Sequence, residues 1–131
     1  METIKPTFKQ AIVGGLISGV IAAPLNEIWD FIAVAFGSIA PPNFMVAVVI
    51  SSIVSLLIGA VLYFLLMKYS KSGRMIFLAV SAVFTLLSLY STMQPVMPDG
   101  TATPHGFALL TIPMHLIAGG VAMWGIPKYS N

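Results

Sequence analysis

Residues Phe44–Arg74 read FMVAVVISSIVSLLIGAVLYFLLMKYSKSGR. From Phe44 to Met67 no residue is charged, and the polar interruptions are Ser51, Ser52, Ser55 and Tyr63. At ~1.5 Å of rise per helical residue this stretch is long enough to cross a hydrocarbon core of ~30 Å. Lys68, Lys71 and Arg74 then follow within seven residues. An apolar run of this length closed by a basic cluster predicts a transmembrane helix that ends on the cytoplasmic side.

The other basic residues extend the pattern. Lys5 and Lys9 precede the first apolar run, and Lys128 follows the last. The two remaining loops carry no Lys or Arg. This asymmetry predicts four spans with both termini and the middle loop in the cytoplasm, and a multi-pass protein of the plasma membrane. The expected spans are residues 10–36, 44–67, 75–93 and 107–126. Pro41 and Pro42 break the first outer loop. Pro95, Pro98, Gly100 and Pro104 punctuate the second, Gln94–Gly106. Short connections make successive helices antiparallel neighbours. The expected fold is therefore an all-α, up-down-up-down four-helix transmembrane bundle, one domain over residues 1–131. The first and third spans share no pattern, so an inverted-repeat transporter is not indicated.

Composition narrows the function classes. Charged residues make up 8% of the chain, against about a quarter in a soluble domain. The basic residues are read as anchors to anionic lipid, so the bilayer is the expected partner. No basic stripe or aromatic platform points to nucleic acid. Cysteine is absent, which removes disulfides and thiolate chemistry. The first apolar run is too long for a cleaved signal and is expected to stay as a span. Met93, Met97, His105, Met114 and His115 match no defensible Cu(I) spacing, and axial haem ligation would need His115 from two chains. No metal and no cofactor are expected.

Two spans are irregular. The first carries Gly14, Gly15 and Gly19, then Ala23-Pro24-Leu25-Asn26-Glu27-Ile28-Trp29-Asp30. Gly15 and Gly19 form a small-residue face that admits another helix, from the same chain or from a second copy in a homo-oligomer. Pro24 withholds an N–H from the carbonyl at Val20. Trp29 suits the outer interfacial belt, and Asp30 is then near the headgroups. The fourth span reads Ile112-Pro113-Met114-His115, followed by Gly119 and Gly120, where a neighbour is again expected to come close. Pro127 and Lys128 are expected to end it.

Counting ~1.5 Å per residue from the basic anchors puts polar groups of all four spans at one depth. Asn26 and Glu27 lie roughly 25–27 Å from Lys9, and Ser51, Ser52 and Ser55 roughly 20–26 Å from Lys68. Ser88 lies roughly 21 Å from Arg74 and His115 roughly 20 Å from Lys128. In one reading this layer is interhelical glue, each hydrogen bond being worth ~0.6–2 kcal/mol. In the other, Asn26, Glu27, Ser52, Ser55, Ser88 and His115 converge on a ligand or ion pathway, because a carboxylate and an imidazole in a low-dielectric layer are costly without a use. Glu27 is expected either beside His115, titrating with it, or turned outward to join Asp30.

The Asn26 region, the segment Phe77–Pro95 with Ser88 inside FTLLSLYSTMQP, and Met114-His115-Leu116 together resemble a family of short, four-span prokaryotic membrane proteins described as a domain of unknown function. The resemblance covers nearly the whole chain. It implies a four-helix membrane fold and draws attention to Asn26, Ser88 and His115, and it implies no activity. The leading expectation is a small, oligomeric membrane protein whose polar layer binds or conducts a small solute, ion or proton. The alternatives are an accessory or lipid-binding module with a structural layer, and an intramembrane enzyme using His115 as acid or base with Glu27 as its partner.

Overall fold

Thr7 opens the first helix with a capping box. Its hydroxyl accepts from the Gln10 amide at 3.2 Å, and the Gln10 side chain accepts from the Thr7 amide at 2.8 Å. This satisfies donors that a helix start leaves free, so the helix begins two residues before the expected Gln10. The computed structural model describes residues 4–131. In chain order the helices are α1, Phe8–Ala35, α2, Phe44–Tyr69, α3, Gly73–Thr92, and α4, Phe107–Tyr129. All four are long and apolar enough to cross a membrane, so the chain is an all-helical, multi-pass membrane protein. The only β pairing among the described residues is an isolated bridge between Val96 and Ala102.

α4 runs through Pro127 to Tyr129 instead of ending at Ile126. A proline so close to a helix end removes one donor where few intrahelical bonds remain to be lost. The Ser130 amide closes that last turn on the Ile126 carbonyl at 3.1 Å.

α1 is the most buried helix and α3 the least. α1 packs against α2 and α4 and does not touch α3, which leans on α2 and α4 alone. The buried side of α1 consists of small or polar residues, among them Ala11, Gly14, Gly15, Ser18, Gly19 and Ala22. In lipid no hydrophobic drive separates helix contacts from lipid contacts, so close backbone approach has to supply the packing energy. The glycine pair does this in two directions, because adjacent helical residues point ~100° apart. A Cβ on Gly15 would meet the Ala60 Cβ at 2.5 Å and the Leu56 carbonyl at 2.9 Å, both on α2. A Cβ on Gly14 would collide with Ser130 just beyond α4. Further along, Gly19 lies against Ile53 of α2, and Ser18 lies against Gly125 of α4.

Gly119 is pressed against Thr85 of α3, but Gly120 does not share its role. A Cβ on Gly120 would meet nothing within 4 Å, since only one of two adjacent helical positions can face α3. Near the chain ends α3 is held by Phe77, fully buried against Tyr63 of α2 with ring centroids 5.0 Å apart and planes at 67°. Lys5 donates to the Lys68 carbonyl in the same region. At the other end of the bundle, the Ile39 amide donates to the His105 carbonyl and the Ser38 hydroxyl to the Gly106 carbonyl.

Gly15→Leu and Gly19→Leu are expected to lower the melting temperature in detergent, because backbone atoms of α2 lie where the side chain must go. Gly120→Ala should instead be neutral or stabilising by about 0.5–1 kcal/mol, since it replaces the poorer helix former in open space. Thermal melts of the three variants separate the close-packed glycines from the free one.

Candidate functional site

α3 carries hydroxyl groups at helical spacing, Ser81, Thr85, Ser88 and Thr92, and Thr85 and Ser88 meet Gly119 and His115 of α4. Each of the last three donates back to its own helix. Thr85 reaches the Ser81 carbonyl at 2.8 Å, Ser88 the Thr85 carbonyl at 2.6 Å, and Thr92 the Leu89 carbonyl at 2.7 Å. A hydroxyl has one proton, so these oxygens are left as acceptors toward α4.

His115 takes one of them. Its Nδ1 lies 2.8 Å from the Ser88 hydroxyl oxygen. Because the Ser88 proton is already given to the Thr85 carbonyl, both bonds hold together only if Nδ1 carries a hydrogen and donates it. In the neutral ring Nε2 is then the bare acceptor. With both bonds in place the serine proton points away from the imidazole, so the pair does not have the arrangement of a nucleophile and its base. It is a device that fixes a tautomer and aims the ring.

The half-buried ring of His115 lines a cavity of about 220 Å³ bounded by Ser91, Thr92, Val96, Met97, Pro98, Phe107 and Thr111. Water occupies ~30 Å³ per molecule in the liquid and drug-sized pockets start near ~300 Å³, so this is room for a few waters or one small solute. The Ser91 and Thr111 hydroxyls also donate to their own helices, at 2.8 Å in each case. The polar lining is therefore made of acceptors, with no formal charge among these residues. Toward the chain ends the tight Gly119–Thr85 contact closes the seam.

The roof is the connection between α3 and α4. Its turn is tied by Asp99, whose carboxylate accepts from the Thr101 amide at 3.0 Å and the Thr101 hydroxyl at 2.6 Å. These bonds favour the charged form and hold the Asp99 carboxyl below its ordinary value. A group depressed in this way supports its turn at neutral pH and loses that support as the pH falls through its folded value.

The other half of the polar layer lies between α1 and α2. Asn26 is buried and its Nδ2 donates to the Ser52 hydroxyl at 3.0 Å. Among the described residues no hydrogen bond links this pair to Ser88–His115. The division follows from azimuth: Met114 faces the core with Ala33, Val48 and Leu110, so the next residue, His115, is turned toward α3. Ser55 is exposed and donates to the Ser52 carbonyl of its own helix, away from Asn26. Glu27 makes no bond to His115, as both of its carboxylate oxygens are enclosed without a partner. Asn26 Oδ1 and Asp30 Oδ1 are enclosed in the same way. Among the described residues no group of three His, Asp or Glu is placed to hold a metal ion.

Trp29 plays a part that its interfacial position did not suggest. Its indole N–H donates to the Leu109 carbonyl at 3.1 Å. Leu109 is four residues before Pro113, so this carbonyl is the one the proline leaves without a helical donor. The spacing from Pro113 was the available signal. For the hydroxyl lining it was the i, i+4, i+7, i+11 stripe on α3.

A family model matches residues 6–131, almost the whole chain. The chain belongs to DUF6069, a family of unknown function. This is a family of the kind its Asn26, Ser88 and His115 segments resemble. Neither the curated proteins nor the solved structures contain a match to it.

Ser88→Ala removes the acceptor that faces His115 Nδ1. We expect it to cost about 1 kcal/mol of thermal stability and to let the ring populate the Nε2–H tautomer. Nitrogen-15 NMR of labelled histidine reads the tautomer directly, and His105 provides the second, internal signal.

Proposed function

We propose that this DUF6069 protein binds a small, donor-bearing solute in the pocket between α3 and α4, with Nε2 of His115 as the principal acceptor. One observation carries this reading: the Ser88 hydroxyl fixes the tautomer so that the unprotonated nitrogen is the free one, in a ring that lines a cavity. A histidine that served only as glue would use both ring nitrogens on neighbouring helices, whereas His115 uses Nδ1 alone. Acceptors without charge suit a neutral amine, an ammonium or water better than an anion. The closed seam beyond Gly119 favours a pocket open at one end over a continuous path through one copy.

The topology belongs to the same proposal. As α1 advances from Gly15 to Gly19 to Asn26, its partners on α2 go back from Ala60 to Ile53 to Ser52. This order fits helices that cross in alternating directions. All six basic residues lie near the termini or the α2–α3 turn, which supports a cytoplasmic location for that end and an outer one for the pocket mouth. Lys68 over Phe64 and Tyr69, and Lys128 over Trp124 and Tyr129, are fitting anchors for anionic headgroups.

Titration of the reconstituted protein with methylammonium tests the binding reading. The Nε2 resonance of His115 should move and saturate, and Thr111→Val should weaken the response. If neither methylammonium nor the pH of the outer solution moves that resonance, the pocket is dry and the polar layer is packing. The orientation is checked separately. A single Cys at residue 99 should react with an impermeant reagent added outside intact cells, and one at residue 71 should not.

A further inference from the structure

Among the described residues, the four enclosed, partnerless oxygens all belong to one stretch of α1 and lie outside the His115 pocket. They are Asn26 Oδ1, Glu27 Oε1 and Oε2, and Asp30 Oδ1. Asn26 and Asp30 are only 3% and 7% exposed. They are one helical turn apart on one face, and Glu27 and Asp30 are neighbours at i, i+3. Side chains on a helix lean toward its N-terminus, so Asp30 lies back over the turn that carries Asn26 and Glu27. Asn26 has its amide nitrogen committed to Ser52, which leaves its oxygen as the atom without a use.

Two carboxylates in this setting need positive charge or donors, and the described residues bring neither to these oxygens. No residue from Gln10 to Met67 is Lys or Arg. The basic residues nearest in sequence on α1 and α2 are Lys9 and Lys68, roughly 27 Å from Glu27 and roughly 24 Å from Ser52 along their helices. Among the described residues no hydrogen-bond partner reaches either Glu27 oxygen or Asp30 Oδ1. The hydroxyl that faces Asn26, Ser52, accepts rather than donates there. Lone buried charges of this kind cost several kcal/mol, whereas oxygens supplied by an amide and two carboxylates make a ligand set for a hard cation.

We propose that Asn26, Glu27 and Asp30 form a cation site on α1, taking a hard alkali or alkaline-earth ion through side-chain oxygens. The ligand set has no nitrogen or sulfur and therefore selects against soft transition metals. Pairing with the ion also accounts for Asn26: Ser52 orients its amide, and the cation takes its oxygen.

Melting of the full-length protein in detergent tests this at constant ionic strength, with NaCl or CaCl2 exchanged for choline chloride. Sodium or calcium should raise the midpoint saturably, by about 5 °C at concentrations well above Kd. E27Q and D30N should each abolish the rise while still melting cooperatively. H115A should keep it, so loss of the His115 pocket and loss of this site give different results. A midpoint indifferent to both ions, or a rise retained in both E27Q and D30N, overturns the proposal. So does a rise produced by acidification alone, which would show that protons satisfy these oxygens.

Discussion

Closest approach between backbones is the constraint on which the arrangement of this protein depends. Inside a bilayer, moving a Leu side chain from lipid to a neighbouring helix gains little, so cohesion has to come from dispersion at short range and from hydrogen bonds. Gly14 and Gly15 give α1 two such surfaces a third of a turn apart, and the helix becomes a wedge between α2 and α4. The rest follows from that wedge. α2 and α4 are drawn to α1, and α3 is left at the margin, held by an aromatic contact at Phe77, glycine contacts at Gly73 and Gly119 and the hydroxyl seam.

Hydrogen-bond accounting then decides which side chains are fixed. Proline inside a membrane helix leaves a carbonyl without a donor, and no water is available in the hydrocarbon to replace it. The Trp29 indole fills that vacancy at Leu109 and so ties α1 to α4 at one register. A slip of one turn would strand both groups. The hydroxyls of α3 follow the same logic in reverse. Thr85, Ser88 and Thr92 each donate to their own backbone, which leaves a row of acceptors along the seam and favours a hydrogen on Nδ1 of His115.

The spans were legible because length and hydropathy report depth directly, and the helix ends depart from expectation by at most three residues. Depth was also legible for the polar residues, which is why Asn26 could be set level with Ser52 and Ser88 level with His115. Depth is one coordinate of two. Sequence does not say toward which neighbour a helix turns, so a single layer was expected where two hydrogen-bonded pairs on different seams are found. The same missing angle explains Gly119 against Gly120, and Ser52 against Ser55. Where a local rule fixes the partner, as with a proline four residues after Leu109, the tertiary contact could have been foreseen.

α3 is the shortest of the four helices, 20 residues against 28 in α1. That is about 30 Å of helix, the thickness of an average hydrocarbon core with nothing to spare, whereas α1 has roughly 12 Å in excess that it accommodates by tilting or projecting. A thicker membrane therefore acts first on α3, the helix with the fewest ties to the rest and one wall of the cavity beside His115. Bilayer thickness is thus a physical load on the wall of that cavity, and α3 is the helix with no spare length to absorb it.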